Sequence, residues 1–383
     1  MATPSTPSPD VAVIGGGLIG LSVAWRALSR GLRVTVLERA EPAGATSRVA
    51  AGMLAPVSEA AFGEDALLAL NRASASRYGS WLAEIASASG RDPGHRACGT
   101  LLVARDSDQA AALEREAAFR EELGLPVERL RPSAARRLEP ALAPALRAAL
   151  HVPGDHAVDP RRLAGALLEA IERTGGAVRA HTPVEALRVD GGRVTGARLA
   201  GGEVLEAGAV VVAAGCWSAG LAGLPEEAAV PLRPVKGQLL RLRDPAGPGL
   251  LERVVRTEDA YLVPRADGGY VLGATVEERG WDTTVTAGAM HELLREAVAV
   301  VPGVAELELE EARAGLRPCT PDNAPAIGPG ALAGLHWATG HHRHGVLLAP
   351  VTADLVVAGL AGEPPGALGE PFAPLRFAAR VPA

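Results

Sequence analysis

The sequence predicts an α/β protein in which a parallel-sheet unit is interleaved with a second part built on an antiparallel sheet, and three observations carry this. A short apolar run, 11–14, leads into Gly15-Gly16-Gly17-Leu18-Ile19-Gly20 and then into apolar residues at helical spacing. A very apolar strand pattern returns far along the chain, at 209–214. Between 230 and 275 the pattern changes to short strands separated by turn residues, the mark of antiparallel pairing. At 383 residues the chain exceeds what one hydrophobic core usually holds, so two domains are expected.

Taken in order, Leu18, Leu21, Ala24, Trp25 and Leu28 share one face of a helix over 18–30, and Gly31 stops it. Residues 33–37 form a second strand that ends in Glu38, which completes a β-α-β unit within about thirty residues. A small-residue loop follows over 44–56. Helices are predicted over 65–89, 108–124 and 160–174. Strands at 184–189 and 194–199 flank a Gly191-Gly192 turn, and the strand at 209–214 breaks at Gly215. Antiparallel strands follow at 238–242, 261–264 and 270–273, the last two joined by Asp267-Gly268-Gly269, and a helix covers 287–301. A Gly/Pro-rich loop over 315–330, a strand at 336–339 and a helix over 346–360 close the chain. This order predicts a discontinuous nucleotide-binding domain of residues 10–62, 151–222 and 312–383. The substrate-binding domain comprises 63–150 and 223–311, and 1–9 form a disordered tail.

Composition excludes several classes. A net charge of −6 and a pI near 5.9 do not supply the basic surface that nucleic acid requires. Cys98, Cys216 and Cys319 are far apart and odd in number, which argues against a disulfide framework or a cysteine metal site and for a reducing cytoplasm. The first nine residues lack the basic start of a secretory signal, and the apolar run after them is too short to span a bilayer. A soluble cytoplasmic protein without membrane contact is the expectation, and homo-oligomerisation is left open. His341, His342 and His344 have no carboxylate or cysteine companion near them in sequence, so no metal site is expected there. Lys236 is the only lysine against thirty-seven arginines, and no role for it emerges.

A lone Gly-x-Gly-x-x-Gly is weak evidence, but here it lies between a strand and a helix with an acidic residue closing the next strand. In this Rossmann-type context Gly15 makes the tight turn, Gly17 admits a pyrophosphate to the backbone, and Gly20 packs helix on sheet. The helix N-terminus offers unpaired N–H groups to phosphates, and Glu38 accepts from the adenosine ribose. Glu38 disfavours a 2′-phosphate. The unit alone does not separate FAD from NAD. FAD is favoured because no further β-α repeats follow to build a second mononucleotide half. Instead the loop 45–55, with Ala51, Gly52 and Met53, has the small side chains needed to lie against an isoalloxazine ring, and Val184 joins this set.

The chain resembles the D-amino-acid oxidase family of FAD enzymes, and within it the glycine oxidases of thiamine biosynthesis. The matching segments are 13–20, Ala50-Ala51-Gly52-Met53-Leu54, 210–218, Pro234-Val235-Lys236-Gly237-Gln238 and Tyr261-Leu262-Val263-Pro264-Arg265. Further matches are Gly273-Ala274-Thr275, Ala314-Gly315-Leu316-Arg317-Pro318, and Gly340-His341-x-Arg343-x-Gly345 onwards to Pro350. The resemblance implies that Arg317 holds the substrate carboxylate and Tyr261 hydrogen-bonds it. It implies that Met53 lines the flavin pocket, and that Gly340, His341, Arg343, Gly345 and Val346 border the flavin ring. Arg343 is the alternative carboxylate partner and a source of positive charge beside the reduced ring. The implied reaction is oxidative deamination of a small amino acid, glycine foremost, by hydride transfer to flavin N5 with O₂ reduced to H₂O₂. D-amino-acid dehydrogenase and sarcosine oxidase of the same family are the alternatives. Val276 and the histidines of 340–345 depart from the family pattern. Cys319 stands where sarcosine-oxidising relatives attach flavin; the reading here is a free thiol and non-covalent FAD, with Cys98 and Cys216 as buried small hydrophobes.

Overall fold

The computed structural model describes residues 8–380. Its first sheet has six strands in the order Ala326–Pro329, Leu335–Thr339, Ala209–Val212, Val11–Ile14, Val34–Leu37 and Ala177–Arg179. All neighbours are parallel except the Ala326–Pro329 edge. Val11–Ile14 is buried along its whole length, as a central parallel strand must be when both faces are covered. Val11 and Val13 pack with the helices Leu18–Ser29, Asp65–Ser89, Pro160–Arg173 and Ala349–Leu360. Ala12 and Ile14 point the other way, into a layer with the small sheet of Val184–Asp190, Arg193–Leu199 and Val204–Glu206.

Strand order reverses at Val11–Ile14, which has Val34–Leu37 on one side and Ala209–Val212 on the other. The crevice beyond the carboxyl ends of such strands is where an open α/β sheet binds its ligands.

A second sheet has eight strands: Glu308–Cys319, Arg233–Arg243, Gly269–Gly273, Tyr261–Pro264, Val254–Arg256, Thr100–Ala104, Ala148–Val152 and Glu128–Leu130. It is antiparallel except where Val254–Arg256 meets Thr100–Ala104. Leu240, Leu242, Leu262 and Leu272 pack one of its faces against the helix Ala287–Val300 in a separate core.

Three expectations need correction. Residues 315–330 are not one loop: Glu308–Cys319 is a strand whose register with Arg233–Arg243 runs from Arg243↔Glu308 to Arg233↔Cys319. It is the edge of its sheet, where Pro318 removes no needed ladder donor, so the Gly/Pro content misled. Within 63–150, where only helices had been expected, lie three strands of the large sheet. The loop 44–56 contains the short helix Thr46–Val49 and the strand Met53–Leu54. Most of the expected tail lies outside the described residues, but the Pro9 carbonyl accepts from the Gly208 N–H at 3.3 Å. No helix among the described residues is long and apolar enough to cross a membrane.

Candidate active site

A cavity of about 1010 Å³ begins at the carboxyl ends of the parallel strands and extends to the large sheet. At one end lie Gly15, Gly17 and Glu38; at the other, Tyr261 and Arg317. Gly15 has φ +106°, and a Cβ there would sit 2.5 Å from the Ala213 carbonyl oxygen, so only glycine fits this turn. Glu38 accepts from the Gly16 N–H at 2.7 Å and from the Ala40 N–H at 3.0 Å. Its carboxylate therefore ties the glycine loop to the second strand and keeps lone pairs for a further donor. The helix Leu18–Ser29 has no side-chain cap from Gly17; Ser47 accepts the Leu18 N–H at 2.9 Å instead.

Ala51, Gly52, Met53, Val184, His341, Arg343, Gly345 and Val346 also line this cavity. Gly20 and Gly340 do not. Gly20 serves packing, since a Cβ there would lie 1.9 Å from the Gly15 carbonyl oxygen. An elongated cavity with a backbone cradle and a ribose-height carboxylate at one end fits a dinucleotide, and the small-residue wall fits its flavin.

At the far end Arg317 projects from the edge strand across Gly237. Its Nη1 donates to the carbonyls of Thr275 (3.1 Å) and Lys236 (3.3 Å), and it has no carboxylate partner among the described residues. Tyr261 lines the same end; burial raises its phenol pKa, and the nearby Arg317 opposes the rise. Arg343 differs from expectation. Its guanidinium donates to Glu64 (3.1 Å), with Glu59 further off at 3.8 Å, whereas Arg317, like Arg39 of the cavity wall, has no carboxylate within ion-pair distance among the described residues.

The three histidines are neutral. Burial depresses His341 to about 3, and His342 and His344 to about 4. His341 pairs with the Thr352 hydroxyl at 2.9 Å. Because the fold binds fewer protons than the unfolded chain, stability drops as pH falls from 6.5 towards 4. The melting temperature of the wild type should fall over that window by more than that of His344→Gln, and equal falls would remove His344 from this role.

Gly237 and Gly273, which carry no role in the sequence alone, gain one from their neighbours. A Cβ on Gly237 would lie 2.5 Å from both terminal nitrogens of Arg317, and one on Gly273 would lie 2.6 Å from the Tyr261 hydroxyl. Each glycine makes room for one cavity-lining side chain. Gly237→Ala should cost little stability, because only a flexible side-chain end must move, but should lower kcat/KM by about tenfold or more with flavin retained. A variant with unchanged kcat/KM would show that the Arg317 position is not critical.

Lys236 also gains a place. It is 1% exposed, and its ammonium donates to Asp282 at 2.7 Å, with Glu277 at 3.8 Å. Its backbone exchanges two hydrogen bonds with Glu277. Lys236 thus fastens the segment carrying Val276 and Trp281, both cavity-lining, onto the large sheet. Glu59 went unnoticed in the sequence, although it follows the Ala50–Leu54 motif closely. Cys216 lines the cavity with a thiol pushed up to about 12 by burial, whereas Cys98 is only half-buried, contrary to expectation. Among the described residues no cluster of histidine, cysteine and carboxylate side chains could hold a metal ion.

The parallel sheet and the large antiparallel sheet share one cavity, and the chain is a flavin-dependent oxidoreductase: it belongs to the FAD dependent oxidoreductase (DAO) family, whose model matches residues 10–358. FAD is the cofactor of this family. The chain is 33% identical over 350 residues to a glycine oxidase of Geobacillus kaustophilus, covering 91% of each chain. A crystal structure of glycine oxidase from that organism superposes with a TM-score of 0.88 at 32% identity, covering 96% of this chain and 98% of that one. The chain is also 34% identical over 373 residues to the bifunctional protein ThiO/ThiG of Synechocystis sp., covering 96% of this chain. It spans about half the length of that relative, 54%. Iminodiacetate oxidase from Chelativorans sp. is similar in structure, with a TM-score of 0.85, 29% identity and 95% of this chain covered.

Proposed function

We propose that the protein oxidises a small amino acid, glycine in first place, with non-covalent FAD as electron acceptor and O₂ as final oxidant, in service of thiamine (thiazole) formation. The observation that carries this reading is Arg317, a guanidinium in the cavity wall that donates to two backbone carbonyls and has no carboxylate partner among the described residues. A planar cation in that state suits a carboxylate. Tyr261 adds a neutral donor at the same end. Relatives called glycine oxidase and ThiO/ThiG support the substrate and the pathway.

When bound, the flavin supplies a two-electron acceptor for the hydrogen on the substrate α-carbon, and O₂ regenerates it with release of H₂O₂. The chain's own work is placement. Arg317 and Tyr261 fix the carboxylate, and Gly237 and Gly273 leave room for them. Tyr261 keeps its proton, because burial raises its pKa, and so donates rather than accepts. Val276 and Trp281, on the segment fastened by Lys236, are 72% and 55% exposed and border the cavity on its solvent side, where a longer substrate side chain would meet them. Cys319 does not line the cavity and is fully buried, which supports a flavin held without a covalent bond. Residues 10–62, 151–222 and 312–383 would hold most of the cofactor and the remainder most of the substrate, with Arg317 as an exception because the strand Glu308–Cys319 that carries it belongs to the large sheet.

An oxygen electrode and a peroxide assay test this reading. Glycine should drive O₂ uptake with matching H₂O₂ and glyoxylate. Flavin reduction by amino acids without O₂ uptake would instead indicate a dehydrogenase, and a higher kcat/KM for sarcosine than for glycine would indicate a sarcosine oxidase.

A further inference from the structure

We infer that Glu59 receives the substrate's amino group and selects for ligands that carry a nitrogen beside the carboxylate. This rests on the amino-acid reading of the cavity and deepens it. Glu59 lines the cavity, and its side chain is 11% exposed. Its carboxylate oxygens accept no hydrogen bond among the described residues. Only charged or ring nitrogens stand near: His344 Nδ1 at 3.4 Å, Arg256 Nη1 at 3.8 Å and Arg343 Nε at 3.8 Å. Burial opposes its ionisation, but the Arg256, Arg343 and Arg317 guanidiniums, joined by His344 when that ring is protonated, hold its pKa below the ordinary value. A cavity-lining, ionised carboxylate that faces these nitrogens but accepts no hydrogen bond from them keeps lone pairs for a donor entering the cavity.

The backbone around it is fixed as a functional group requires. Asp155, fully buried, accepts from the N–H groups of Val57 (3.1 Å) and Ser58 (2.6 Å). Arg120 donates to the carbonyls of Val57 (2.9 Å) and Ser58 (2.7 Å), and Arg256 donates to the Ser58 carbonyl (3.0 Å). These contacts hold Glu59 at the cavity wall from both sides. Glu258 and Asp259 line the cavity too, but both are exposed and hydrated by bulk water. Arg317 and Glu59 thus form the two poles of a zwitterion site. An N–H accepted by Glu59 stays in one place whether the nitrogen carries two protons or three.

The test compares glycine with acetate, which lacks only the amino group. Acetate binding is read from the absorbance of the oxidised holoenzyme, and glycine binding from the concentration dependence of anaerobic flavin reduction. In Glu59→Gln the Kd for glycine should rise by about tenfold or more, while that for acetate stays within about threefold. Glu59→Asp, which keeps the charge, should keep the preference for glycine. Parallel weakening of both ligands would make Glu59 a brace for Arg256 and Arg343 and overturn the proposal, as would no change in either. Should Glu59→Gln lose its flavin, the wild type decides: glycine must bind more tightly than acetate, and equal binding overturns the proposal. A wild type that responds to acetate but to no amino acid would contradict the amino-acid reading itself, and this proposal with it.

Discussion

Arg317→Ala should lower kcat/KM for glycine by about a hundredfold or more, because it removes a charge-assisted contact worth several kcal/mol in a partly desolvated site. Among the described residues the guanidinium pairs with no carboxylate, so its loss leaves no buried charge stranded and the fold should survive. Flavin content should barely change, since Gly15, Gly17 and Glu38 lie at the opposite end of the cavity. Arg317→Lys should recover only part of the activity, because an ammonium cannot reproduce the planar fork. An amine without a carboxylate should be nearly indifferent to the change. Near-normal kcat/KM in Arg317→Ala would end the carboxylate-clamp assignment. Arg343 would not be the natural successor, because Glu64 already engages it.

Glu38→Arg should raise the FAD dissociation constant by about a hundredfold or more. The change removes the acceptor of the Gly16 and Ala40 N–H groups and also the acceptor proposed for the ribose. It places a long cation beside a glycine loop with no spare volume, since a Cβ on Gly16 would already lie 3.0 Å from the Glu38 Cβ. Purified variant should contain little flavin, whereas acid precipitation of the wild type should release all its colour as FAD. Full occupancy in Glu38→Arg would reduce Glu38 to a loop tie. Colour retained in the wild-type pellet would contradict non-covalent binding.

Much of this was legible before the structure. Val11–Ile14, Leu18–Ser29 and Val34–Leu37 carry period and punctuation within a short span, so local rules suffice for them. Ala209–Val212 was found by its apolarity, although its parallel partner Val11–Ile14 lies some two hundred residues away in the chain. Glu308–Cys319 was missed because its alternation is masked by charged residues, glycine and proline, and its pairing with Arg233–Arg243 is long-range. Arg317 and Tyr261 were legible through flanking motifs. Glu59 was not, since a carboxylate in an irregular segment becomes informative only when Asp155 and Arg120, distant in sequence, are seen to fix the Val57 and Ser58 backbone beside it. The work of Gly237 and Gly273 appears only once the side chains that cross them are placed.

The most direct measurement is flavin reduction without oxygen. Purified holoenzyme is mixed anaerobically with glycine, sarcosine, and D- and L-amino acids of increasing size, and the flavin absorbance is followed. Glycine and other small amino acids should bleach the flavin rapidly and to completion, with rates that fall as the side chain grows towards Val276 and Trp281. A holoenzyme that no amino acid reduces, but that a hydroxy acid or a simple amine does, would contradict the assignment of this cavity to amino-acid oxidation.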